Sequence, residues 1–264
     1  MSVSVVLAPN PSLLTGPGTN TYLVGDGDDL ACIDPGPDEP EHLRNIESAV
    51  RAQHGRVRTV LLTHSHPDHR PLARRLAEQT GARLLALDPG DDGALPIRDG
   101  DTVQAGSTML RAVHTPGHAS DHLCYFDAQS AELFAGDHVL SGMTTVISPP
   151  DGDMSDYMES LQRVLALRPA VIHPGHGRTI DDGVAAIERY IAHRLEREAQ
   201  VAEAVRRRGV PTAPIDVVPE IYAAYPEALH AFAARSVQAH LDKLVRDGRA
   251  TRVEEGDPPR YLVG

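Results

Sequence analysis

The stretch from Thr59 to Arg70, TVLLTHSHPDHR, decides how this chain is read. An apolar run stops abruptly and delivers His64, His66, Asp68 and His69 within six positions. Neutral imidazole and carboxylate are the ligands of zinc and similar transition metals. On a solvated loop, or as a helix cap, such crowding gains little. Around a cation it is explained at once. Four such groups on so short a loop cannot easily reach one ion, so two ions sharing the loop are expected. The preceding VRTVLLT reads as a strand, which places the cluster at a strand end, where loops converge on sites.

Three later segments repeat the theme. VHTPGHASDH sets His118 after a strand and a Pro-Gly turn, LFAGDHVL ends a strand in Gly136-Asp137, and VIHPGHG ends another in Pro174-Gly175-His176. Each alone reads as a turn residue; together they converge. Ligating imidazoles donate their second nitrogen to a carboxylate or carbonyl. Asp34, closing the neighbouring strand LACID, is a candidate for orienting a histidine, or a turn residue before Pro35-Gly36. Thr63 and Thr115 are expected to brace their loops, and His114, His122, His138 and His173 to be structural.

Around this constellation the chain is ordinary. Its 264 residues, 41% hydrophobic and 23% charged, are enough for one large domain with or without a small one. A formal net charge of -12 excludes wholesale adhesion to nucleic acid or anionic membrane. Cys32 and Cys124 lie in apolar segments and are expected as buried free thiols. The N-terminus lacks a basic n-region and long apolar core, so no signal peptide is read; no run spans a membrane, and a cytoplasmic location is expected.

Strand and helix patterns alternate, giving an α/β or α+β class. TYLVG and LACID, joined by a Gly/Asp turn, read as a hairpin. Helices are expected over EPEHLRNIESAVRAQHG, over PLARRLAEQTG opening on Pro71, over MSDYMESLQRVLAL capped by Ser155 or Asp153, and from about Asp182 to Arg208. Strands are expected over ARLLAL, STMLRAVHT, HLCYFDA and ELFAGD. Pro211 and Pro214 mark a boundary between residues 1–210 and 211–264. The latter read as short helices followed by a hairpin with Gly256 and Pro258 in its turn, a winged-helix pattern. RRLAEQ and RRRG read as solvated helix faces rather than a nucleic-acid track.

The order THxHxDH, TPGH, GD, GH resembles the metallo-β-lactamase superfamily over roughly residues 5–200. That resemblance implies a four-layer αβ/βα sandwich with a dinuclear site on one edge. Carried onto this sequence, it assigns His64, His66 and His118 to one metal, Asp68, His69 and His176 to the other, and Asp137 as the bridge. GPGTNTYLVG, TPGHASDHLCYF and the terminal winged helix resemble the β-lactamase-like protein 2 branch. In that branch the turn ending at Asn20 lies near the metal edge, so it is expected either to border the substrate pocket or to serve only as a hairpin entry. One departure is plain: the family pattern DHxGG reads DHRPLA here, so Arg70 adds a cation beside the site and is expected to act on anionic substrates.

The implied chemistry is hydrolysis. Two divalent ions, zinc or else iron or manganese, activate a water for attack, with Asp68 as proton carrier to the leaving group. A small-molecule ester, thioester or lactone is the expected substrate. A single-stranded RNA phosphodiester is the alternative, and a non-catalytic, metal-containing DNA-binding regulator is the rival from another class. His and Asp ligands without thiolate favour an open catalytic site over a closed structural one.

Overall fold

The computed structural model describes every residue except Met1, Tyr225, Glu255 and Asp257. In chain order the elements are β1 (Ser2–Leu7), β2 (Asn20–Asp26), β3 (Asp29–Ile33), α1 (Pro40–Ala52), β4 (Val57–Leu61), α2 (Ala73–Thr80), β5 (Arg83–Ala86), β6 (Leu95–Pro96), β7 (Thr102–Ala105), β8 (Thr108–His114), β9 (Leu123–Asp127), β10 (Glu132–Gly136), α3 (Met154–Ala166), β11 (Val171–Pro174), α4 (Gly183–Arg208), α5 (Pro214–Ile221), α6 (His230–Arg246), β12 (Ala250–Glu254) and β13 (Arg260–Val263).

Contacts divide the chain into two compact units. The first comprises Met1–Thr115, Asp121–Thr144 and Arg163–Ala186; the second comprises Pro116–Ser120, Thr145–Gln162 and Ile187–Gly264. Most of α4 belongs with the C-terminal elements, because its apolar face is used there.

The first unit carries two mixed sheets, ordered β1-β2-β3-β4-β5-β6 and β11-β10-β9-β8-β7. The side-chain period of two sorts each strand between two cores. Tyr22, Val24, Ile33 and Leu61 of the first sheet pack with Leu110, Leu123, Tyr125 and Phe134 of the second. On the other face, Leu23, Cys32 and Val60 meet Leu43 and Ile46 of α1 and Leu76 of α2. Strands β3 and β4 pair in parallel and are buried nearly throughout, which is why both read as near-continuous apolar runs. Cys32 and Cys124 are buried and free.

A core of the second unit gathers Val201 and Val205 of α4, Val217 and Val218 of α5, Val237, Leu241 and Leu244 of α6, and Tyr261 of β13. Each such buried side chain contributes about 1.5–3 kcal/mol. Helices followed by the antiparallel pair β12–β13 make a winged helix. The turn expected at Gly256 and Pro258 also involves Glu255 and Asp257, which lie outside the described residues. Asp153 Oδ1 accepts from the Ser155 and Asp156 backbone N–H groups and so caps α3. Among the described residues, no helix is long and apolar enough to cross a membrane.

Candidate metal centre

The centre grows from the ends of β3, β4, β10 and β11. Directly after β3, Asp34 takes a left-handed backbone (φ 49°) and is buried. Its Oδ1 accepts the Thr63 backbone N–H at 2.8 Å, and its Oδ2 accepts the Thr63 hydroxyl at 2.6 Å and His69 Nδ1 at 2.8 Å. That hydroxyl proton is spent on Asp34, so Thr63 Oγ1 must accept from His64 Nδ1, 2.9 Å away. The network thus assigns the neutral tautomer of His64 whose Nε2 bears a lone pair. This Nε2 faces His66 Nδ1 at 3.0 Å.

The second group is tighter. His69 Nε2 stands 3.3 Å from Asp68 Oδ2 and 3.4 Å from Asp137 Oδ1; His176 Nε2 stands 3.2 Å and 3.3 Å from the same two oxygens. His176 Nδ1 is turned to the Gly18 carbonyl at 3.2 Å, which aims Nε2 inward. His69 Nε2 is buried and makes no hydrogen bond. Ligand atoms about 2.0–2.1 Å from a tetrahedral ion lie about 3.3–3.4 Å from one another. The observed separations match, so these residues fit a divalent metal.

Their charges point the same way. Burial alone would lower the pKa of His69, but Asp137 and Asp34 outweigh it and hold the imidazole well above its usual value. His176 is raised to about 9 by Asp137 and Asp68, again against burial. Asp68 and Asp137 are driven below the ordinary carboxylate range, despite burial, by these same histidines. One buried and one half-buried carboxylate between two imidazoles call for added positive charge, and a bound divalent ion would displace protons to supply it.

The surrounding backbone is shaped to permit this. Gly136 has φ 48°, and a Cβ there would meet Thr63 Oγ1 at 2.6 Å and His122 Nε2 at 2.8 Å. A Cβ at Gly175 would lie 2.4 Å from Asp137 Oδ1. His122 Nε2 accepts the Asp137 backbone N–H at 3.2 Å, while Nδ1 bonds the Thr115 hydroxyl at 2.8 Å. Asn20 Nδ2 donates to the Pro174 and Gly177 carbonyls, both at 2.9 Å, and Tyr22 Oη also donates to Pro174 at 2.8 Å. Asn20 therefore grips the loop that carries His176. Thr19, unnoticed in the sequence, donates its hydroxyl to Asp68 Oδ2 at 3.0 Å. Its place in the PGTN turn was the available signal, but nothing in the spacing linked it to a residue 49 positions on.

Two expected residues need separate treatment. His118 belongs to the second unit, where its Nδ1 faces the Val146 carbonyl at 2.8 Å, so Nδ1 donates and the lone pair of the neutral ring falls on Nε2. Arg70 already has several protein partners. Its Nε and Nη2 clamp Asp92 at 2.7 and 2.8 Å, Nη1 reaches Ser65 Oγ and the Asp88 carbonyl, and Nη2 also reaches the Pro89 carbonyl. These bonds tie the histidine loop to residues 88–92.

Comparison with known proteins agrees with this geometry. The Metallo-beta-lactamase superfamily model matches residues 14–88 and 72–176, and the Beta-lactamase associated winged helix domain matches residues 214–257. A Drosophila melanogaster protein named Beta-lactamase-like protein 2 homolog is 34% identical, covering 99% of this chain and 94% of its own. An Aspergillus fumigatus protein named Atrochrysone carboxyl ACP thioesterase is 33% identical over 76% of this chain and 64% of its own. The crystal structure of a Beta-lactamase domain protein from Burkholderia ambifaria superposes with a TM-score of 0.86 at 24% identity, covering 99% of this chain and 91% of that one. With strand ends, histidines and winged helix accounted for together, the chain belongs to the metallo-β-lactamase superfamily, with the β-lactamase-associated winged helix at its C-terminal end.

Proposed function

We propose that this chain is a hydrolase acting in the cytoplasm with two zinc ions on a small-molecule ester, thioester or lactone. Iron or manganese would serve as substitutes. One ion is assigned to His64, His66 and His118, the other to Asp68, His69 and His176, with Asp137 shared. The observation that carries this reading is the 3.2–3.4 Å spacing of His69, His176, Asp68 and Asp137 around a common centre.

Bound metals of this kind supply Lewis acidity and lower the pKa of water to about 7. The chain's residues do the rest. Asp34 and Thr63 lock the tautomers of His69 and His64. Asp68 is more accessible than Asp137, with 27% of its side chain exposed against 11%. It is anchored through Oδ2 by Thr19, which suits it to carry a proton to the leaving group. Asn20 and Tyr22 keep the His176 loop in register.

A carbonyl substrate is favoured over RNA by the net charge of -12 and by the thioesterase named among the relatives. The DNA-regulator reading loses support on α6. Lys243 is paired with Glu198 and Asp247, and Arg246 with Asp153, which leaves Arg235 as the α6 cation without an ion pair among the described residues, too little for a track along a phosphate backbone. The test is turnover of aryl thioesters, lactones and single-stranded RNA by purified protein whose metals are counted by elemental analysis. Close to two zinc per chain and chelator-sensitive thioester or lactone cleavage are expected. Cleavage of RNA alone, or hydrolysis that survives complete metal removal, would refute the proposal.

A further inference from the structure

The second unit contains a cleft of about 450 Å³ that the metal chemistry does not use. It is bounded by one face of α6, by β12 and by the loop leading into α3. That volume lies within the roughly 300–1,000 Å³ of small-ligand sites. Its walls divide by chemistry. Pro149, Pro150, Met154 and Ala239 supply apolar surface, while Arg235, Gln238 and Arg252 supply donors.

The charges decide which ligand fits. Both lining carboxylates are already committed within this unit. Asp153 caps α3 and is held by Arg246, and Asp242 accepts the Tyr261 hydroxyl at 2.6 Å. Among the described residues, neither Arg235 nor Arg252 has a carboxylate partner; Arg252 lies 5.7 Å from the centroid of the Tyr261 ring. Among the described residues, three guanidinium groups on two different elements thus stand against two carboxylates around one concavity, and Arg235 and Arg252 are the two without an ion-pair partner. Guanidinium forks pair bidentately with phosphate oxygens, and a phosphate monoester has enough oxygens for both.

We propose that this cleft binds the phosphate monoester group of a small molecule, with Arg235 and Arg252 on the phosphate and the apolar walls on an uncharged stem. A polyanion is a poorer fit. Nucleic-acid binding needs cations spaced along a track, whereas here the guanidinium groups converge on one concavity flanked by Asp153, Asp242 and Asp156. The inference is independent of the hydrolytic reading, because none of these residues is assigned to the metals.

The experiment is calorimetric titration of the full-length, metal-replete protein with 1-naphthyl phosphate, with 1-naphthol and with a single-stranded oligonucleotide. One equivalent of the phosphate should bind, about tenfold or more tighter than the alcohol. The R235Q/R252Q double variant should lose about tenfold or more of that affinity while its metal content and circular dichroism stay unchanged. Arg235→Lys should retain part of it. Equal affinity for phosphate and alcohol would overturn the proposal, as would no saturable binding. An unaltered double variant would do the same by placing the anion elsewhere, the metal centre included. Binding of the oligonucleotide but not the small phosphate, lost in the double variant, would replace it with a nucleic-acid surface.

Discussion

Asp34 takes three donors on two oxygens, and every one leads to a histidine or to the threonine that orients one. Asp34→Asn keeps the shape but offers a donor where acceptors are needed. Metal content should fall toward one equivalent or below, with affinity at the His69 group weakened by about 10–100-fold, measured by chelator competition. Full retention of two tight ions would show that His69 needs no such partner. Arg70→Ala makes a contrasting case. Its partners are Asp92, Ser65 and the 88–89 carbonyls, so KM for charged and neutral substrates should change alike. The loss should appear as about 1.5–3 kcal/mol of stability in urea titration, typical of charge-assisted hydrogen bonds. A selective KM rise for anions would return Arg70 to the substrate. At this scale the metal-type residues were legible because their chemistry is unusual in short loops. The partners of Arg70 and Asp68 were not, because hydrogen bonds across 22 or 49 residues leave no mark in local spacing.

Elements differ in how openly they declare themselves. The long helix α4 and the buried strands β4, β8, β9 and β10 follow apolar periodicity and were readable. Strand β1 was not read, since Val5 and Leu7 face outward and blur its alternation. Nor was β6, which is two residues long and includes a proline, nor β7. Helix α2 begins at Ala73 rather than Pro71 because residues 66–70 are held in turns, with the N–H groups of His69 and Arg70 both on the His66 carbonyl. In α6, His240 is buried, and neither ring nitrogen has a hydrogen-bond partner. Burial first, then the charges of Arg194, Arg197, Lys243 and His193, hold its pKa well below 6.5. The unfolded chain protonates this group near pH 6.5 and the folded one does not, so stability is lost as pH falls below 6.5. His240→Leu should reduce the drop in urea midpoint between about pH 7.5 and about pH 5.5. An undiminished drop would assign that acid sensitivity to other groups.

For the molecule as a whole, the winged helix is not a removable appendix. Cutting after residue 211 would bare Val201, Ala202, Ala204 and Val205 of α4, which are buried with α5, α6 and β13. The truncated chain should aggregate on size-exclusion chromatography, since about 1.5–3 kcal/mol per buried aliphatic side chain is forfeited. A monodisperse truncation with normal metal content would mean that α4 can re-cover its face. The composition shift at Pro211 was legible, whereas the packing of α4 with α5 and α6 was not, because a helix's apolar face does not say which neighbour covers it. One last property follows from Asn20, whose amide holds carbonyls 154 and 157 residues further on. Contacts of such separation close late, because the whole intervening chain must first be drawn in. During synthesis, His64, His66, Asp68 and His69 emerge long before His176, leaving a half-built chelator exposed on the nascent chain. Under the proposed assignment, loading would then depend on timing: an ion shared by His69 and His176 would be acquired only after β11 has docked.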